Sequence, residues 1–153
     1  MLYFFIKIKM SKLFLCLILL LGLYNCQTYK GAKVYEITRD SNGNNEVDIN
    51  VSVGEEFALK LKGNPTTGYT WVLLNPEDID ESLEATNFGS DGIAEYVSNS
   101  KNKLLDGAGG YFYYTFKAIK VNYEVKPLKF SYRRLWEKET NSEPDALVKI
   151  TVS

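Results

Sequence analysis

The sequence contains no histidine. That removes the usual general base at neutral pH, the Ser–His and Cys–His nucleophile pairs, and the commonest zinc ligand. Cysteine is nearly absent too: the two present are Cys16 and Cys26, both near the N-terminus. Residues 27–153 therefore offer no thiol nucleophile, no thiolate metal site and no internal disulfide. A pair of carboxylates remains the one route to hydrolysis, since acidic residues are plentiful. They are scattered through turn-like stretches such as 75–84, where a solvated surface accounts for them. These absences point away from an enzyme, and no metal, cofactor or small-molecule substrate is expected.

A basic excess is missing as well. Lys and Arg total 18 against 19 Asp and Glu. Three of the lysines, Lys7, Lys9 and Lys12, fall in the first 26 residues, which hold no acid. The remainder carries 15 basic (18 less 3) against 19 acidic residues, a net charge of −4. No basic patch is left for nucleic acid, and no polybasic cluster for a membrane surface.

Long apolar runs are confined to one place, residues 13–23 (LFLCLILLLGL). A basic stretch followed by a run of this length reads as a signal peptide over 1–26, too short for a comfortable transmembrane helix. Two alternatives stay open. The apolar residues 2–6 lengthen the segment toward an uncleaved anchor, and Leu23-Tyr24-Asn25-Cys26 loosely resembles a lipobox that would lipidate Cys26. Met10 is a second candidate start. The domain proper is then 27–153, expected in the secretory pathway, extracellular or lumenal. It would touch membrane only if the N-terminal segment is uncleaved or Cys26 lipidated.

What is present is strand-forming. Hydrophobic residues are 45% of the chain and aromatics 14%, enough for a real core. After the signal, apolar residues alternate with period two. The pattern predicts strands over 33–38, 46–53, 56–62, 69–74, 111–120, 125–133 and 146–152, with shorter ones over 83–88 and 93–97. Residues 75–82 read as a loop or helical turn, capped by Asn75 or Asp78. A tight connection near Val121-Asn122 would join the two long aromatic strands, and Pro127 marks an edge or a bulge. The expectation is an all-β antiparallel sandwich of seven to eight strands.

Three connections have compositions that a turn alone does not require. The first is Gly63-Asn64-Pro65-Thr66-Thr67-Gly68-Tyr69, where Pro65 fixes its own φ and Gly68 permits a positive one, so two threonines sit on a stiff loop. The second runs from Lys103 through Leu104, Leu105, Asp106, Gly107, Ala108, Gly109 and Gly110. It offers bare backbone beside two apolar anchors and lacks the Lys-Ser/Thr pair of a phosphate loop. The third, Arg133-Arg134-Leu135-Trp136, carries residue types enriched at binding hot spots. Taken singly, each also reads as a plain turn, with Arg134 pairing to Glu137 or Glu139.

Together and in this order, Asn64–Tyr69 (NPTTGY), Gly107–Gly110 (GAGG) and Arg134–Trp136 (RLW) resemble the three loops of the chagasin family of cysteine-protease inhibitors. The resemblance spans residues 33–153. It implies an immunoglobulin-like sandwich whose three loops form a wedge in the cleft of papain-like, cathepsin-type proteases. By that resemblance Asn64, Pro65, Thr66, Thr67, Gly68 and Tyr69 would bind the protease as one loop, with Thr66 and Thr67 against its catalytic Cys–His pair. The backbone of Gly107, Ala108, Gly109 and Gly110 would line one side, with Leu104 or Leu105 toward the apolar pocket that selects substrates, and Arg134 and Trp136, flanking Leu135, would grip the other. Inhibition would be reversible and competitive. Leu135 departs from the family, which usually has proline there; a looser loop and an affinity cost of about 1 kcal/mol or less are expected. The competing class is a secreted sandwich module for adhesion or ligand binding, which would explain the aromatics but not the three segments in order.

Overall fold

The computed structural model describes residues 28–38, 46–99, 109–137 and 143–153; the expected signal over 1–26 lies outside them. Among the described residues ten strands follow one another. They are β1 (Thr28–Tyr29), β2 (Ala32–Ile37), β3 (Glu46–Val51), β4 (Glu56–Gly63), β5 (Thr70–Leu73), β6 (Leu83–Ala85), β7 (Glu95–Ser98), β8 (Gly110–Ala118), β9 (Leu128–Arg133) and β10 (Ala146–Val152). Eight of these have four residues or more, in line with the seven to eight expected; β6 is the first half of the shorter strand expected over 83–88, and β1 is an addition. They form a sandwich of two sheets. One runs β1-β2-β4-β8-β6, with β7 also paired to β8; the other runs β3-β10-β9-β5.

The pairings are antiparallel as expected except for two, β2 with β4 and β3 with β10, which are parallel. The cause lies in the connections. The chain leaves the first sheet after β2, runs through the second as β3, and returns as β4, so two reversals bring β4 back in the direction of β2. The positive-φ Gly54 makes the return turn, donating its N–H to the Ala118 carbonyl at 2.7 Å.

Strand β8 shows why the pattern folds this way. Burial alternates along all nine residues, as half-buried strands require. Phe112, Tyr114, Phe116 and Ala118 face the core. There Phe57, Leu59 and Leu61 of β4 meet Leu128 and Phe130 of β9 and Val148, Ile150 and Val152 of β10. Tyr114 is fully buried and donates its hydroxyl to the carbonyls of Trp71 (2.8 Å) and Gly92 (3.1 Å). Burial holds its pKa above the ordinary tyrosine value.

The tight connection expected at Val121-Asn122 is not a hairpin, because β8 and β9 lie in different sheets. Asn122 pins the crossover instead, donating Nδ2 to Ile150 O at 2.8 Å and accepting the Val152 N–H at 2.9 Å. Pro127 stands just before β9 rather than inside it, which frees this inner strand from a residue that cannot donate. Residues 76–78 form a short 3₁₀ turn with Asn75 at its start. The Asn75 side chain does not cap it. It spans to β9, accepting the Lys129 N–H (3.0 Å) and donating to Pro127 O (3.2 Å).

Candidate functional site: three loops at one end of the sandwich

Gly63, the last residue of β4, pairs with Gly110, the first of β8. The first and second loops therefore spring from adjacent points at the same end of one sheet. The third loop follows β9, whose Arg133 pairs with Thr70 at the start of β5, so it leaves the other sheet beside the far end of the first loop.

The first loop is built by its own sequence. Asn64 is extended (φ −142°, ψ 96°), the conformation required before proline. Pro65, Thr66 and Thr67 make one 3₁₀ turn, closed by the Gly68 N–H on Pro65 O at 2.9 Å. Gly68 has φ +82°, a value that other residues rarely adopt. The Asn64 Oδ1 accepts from both the N–H (3.2 Å) and the hydroxyl (2.7 Å) of Thr66. Its carbonyl accepts the N–H (3.2 Å) and hydroxyl (2.6 Å) of Thr67. Asn64 thus organises both exposed threonines, and each hydroxyl proton is engaged within the loop.

The third loop is a single turn, with the Glu137 N–H on Arg134 O at 3.2 Å and an Arg134–Glu137 ion pair at 3.1 Å. That is the pairing foreseen for Arg134 as a plain turn. Trp136 does not fold back into the sheet: it is 71% exposed, and Leu135 is 56% exposed. The indole lies over the first loop instead. A Cβ built on Gly68 would fall 2.5 Å from Trp136 Cη2, so glycine at 68, which supplies the φ, also lets the indole lie this close. The Arg134 guanidinium sits over the Tyr69 ring at 4.6 Å and 6.0 Å from that of Trp136. Loops one and three are one interlocked unit.

The second loop is the tip of the β7–β8 hairpin, where Ser98 pairs with Gly110 and the Asn99 N–H reaches Gly109 O at 3.1 Å. Leu104, Leu105, Gly107 and Ala108 lie outside the described residues. Gly110 is buried within β8, and a Cβ there would meet Val97 O at 2.3 Å and the Tyr96 hydroxyl at 2.6 Å. Its glycine is demanded by packing at the base of the loop.

Sequence reasoning passed over Tyr132 and Asp145. The Asp145 carboxylate accepts the Tyr132 N–H at 2.8 Å and the Ser131 hydroxyl at 3.2 Å, fastening the end of β9 below the third loop. Tyr132 reaches the first loop, 68 positions away. In sequence it is one more aromatic in an alternating strand, and nothing local marks it. Trp71, next to the first motif, is core: 3% exposed, with its indole N–H on Lys62 O at 2.9 Å.

Comparisons with known proteins place the chain in a family. Residues 50–152 fit the family model described as Chagasin family peptidase inhibitor. Amoebiasin-1 of Entamoeba histolytica is 30% identical over 98 residues, covering 64% of this chain and 83% of that protein. The solution structure of Amebosin superposes with a TM-score of 0.51 at 27% identity, covering 78% of this chain and 96% of the other. A crystal structure of a cysteine protease inhibitor from Entamoeba histolytica gives 0.54 with the same coverage at 19% identity, a likeness of fold alone.

Proposed function

Since this chain belongs to the chagasin family of peptidase inhibitors, we propose that it is a reversible, competitive inhibitor of papain-like cysteine proteases of the cathepsin type, and not itself an enzyme. The observation that carries the reading is the seating of Trp136 over Gly68, which joins the loop that crosses between the sheets to the loop after β9 in a single preformed wedge. Preformed surfaces lose little entropy on binding. Thr66 and Thr67 are exposed at the tip and block the catalytic Cys–His pair of the protease. The second loop, from Leu104 and Leu105 to Gly109 and Gly110, lies along one wall of the cleft and bonds through bare main chain. Arg134, Leu135 and Trp136 hold the other wall. The absence of histidine and of any cysteine beyond Cys26 supports inhibition without chemistry. The basic and then apolar N-terminal segment supports export, which intact-mass measurement of the secreted form would check.

The test is titration of papain with the purified domain. Activity should fall stoichiometrically at high enzyme concentration and recover as substrate is raised. Full activity at micromolar inhibitor, with papain and with a cathepsin, overturns the reading.

Leu135 sharpens one expectation. It occupies the second position of the Arg134–Glu137 turn, where proline is favoured, and its φ is not positive. The turn closes without proline, through the Glu137 N–H and the ion pair. Leu135→Pro should therefore tighten inhibition, by about 1 kcal/mol or less, by restricting the free chain. An inhibition constant that is unchanged or larger would count against this account of the third loop.

A further inference from the structure

We propose that Tyr132 is a positioning residue that sets the first and third loops against each other, so that the two act as one binding element. The proposal rests on the inhibitor reading and adds a residue outside the three motifs. Tyr132 belongs to β9 and pairs with Trp71 of β5. Its ring lies between Tyr69, stacked at 5.4 Å and 28°, and Trp71, tilted at 5.2 Å and 38°. Its hydroxyl accepts the Asn64 N–H at 2.9 Å and lies 3.4 Å from the Asn64 carbonyl, to which it donates.

The consequences run in two directions. Toward the first loop, the hydroxyl fixes the backbone of Asn64, and Asn64 in turn holds Thr66 through Oδ1 and Thr67 through its carbonyl. Toward the third loop, the ring stacks on Tyr69, and the Arg134 guanidinium also lies over Tyr69, at 4.6 Å. One residue, Arg133, separates Tyr132 from Arg134 at the strand end, and the Asp145 carboxylate on the Tyr132 N–H keeps that end from fraying. One side chain therefore stands between the threonine tip and the arginine–tryptophan grip.

Tyr132→Phe keeps the ring and removes the hydroxyl. Two measurements read the result. Amide exchange at Asn64 should quicken about tenfold or more while exchange in β8 stays slow, because one hydrogen bond is lost and the core is not. The inhibition constant should rise about three- to thirtyfold, the effect of one hydrogen bond. In the parent, Thr67→Ala and Trp136→Ala should be non-additive, as expected of coupled groups; in the Tyr132→Phe background their effects should add. A residue that merely supported the fold would leave that coupling in place. Should Tyr132→Phe fail to unfold cooperatively, Tyr69→Leu removes the ring between Tyr132 and Arg134 and should abolish the same coupling. Unchanged protection at Asn64, or coupling that persists in the variant, overturns the proposal. A parent that inhibits no papain-like enzyme defeats the inhibitor reading instead, and the exchange rate at Asn64 still decides whether the hydroxyl braces the loop.

Discussion

Trp136→Ala should raise the inhibition constant by about 30- to 1000-fold, some 2–4 kcal/mol, and leave the fold intact. The indole is 71% exposed, so the free protein gains little from burying it, and substitutions at such positions change stability by about 0.5 kcal/mol or less. Its value lies in binding. An exposed tryptophan is the residue type most often found at interface hot spots, and this one is already seated. Gly68 leaves room for the ring, and Arg134 approaches it on a side chain restrained by Glu137. The effect should appear mainly in the dissociation rate, as it does for most interface substitutions. Inhibition within about twofold of the parent, with the thermal midpoint unchanged, would remove the third loop from the binding surface.

How much of this was legible beforehand differs between fold and site. The alternation in 111–120 and 146–152 placed β8 and β10 within two residues, because strands with one buried face must write that face into the sequence. The parallel pairing of β2 with β4 was not legible. It depends on which sheet the chain enters after each turn, and the turn residues do not encode that. The first loop was legible at Pro65 and Gly68, which each perform a local backbone task, whereas the hydrogen bonds of Asn64 to Thr66 and Thr67 were not read. The third was legible as composition only. That Arg134 and Trp136 close over Tyr69 and Gly68 depends on β5 and β9 being neighbours, a contact between residues far apart in the chain. Tyr132 escaped notice for the same reason: its partners are at positions 64, 69 and 71. The three glycines of the second motif differ: a Cβ on Gly109 would meet only Gly63 O, at an ordinary 3.8 Å. Gly110 answers to steric crowding by Val97 and Tyr96, whereas Gly107 lies outside the described residues.

Phe57→Ala should cost about 3–5 kcal/mol of stability, the usual range for deleting a fully buried ring. Phe57 has no exposed surface. It stacks on Phe116 at 5.5 Å and meets the edge of Tyr35 at 6.2 Å, which ties β4 to both of its neighbours, β8 and β2. Domains of this size are stable by only about 5–15 kcal/mol, and residues 28–153 contain no cysteine to cross-link the chain. The loss therefore falls wholly on the packed core. Denaturant unfolding should show a lower midpoint with an unchanged slope. The same variant separates the core from the binding end. Phe57 and Gly63 stand six residues apart on β4, roughly 20 Å at the rise of a strand, so the wedge is remote from the cavity. Below the lowered transition, each folded molecule should still inhibit as the parent does. A variant that keeps the parent's midpoint would show that the core closes around the missing ring. One that stays folded yet no longer inhibits would show that the loops depend on core packing rather than on their own hydrogen bonds.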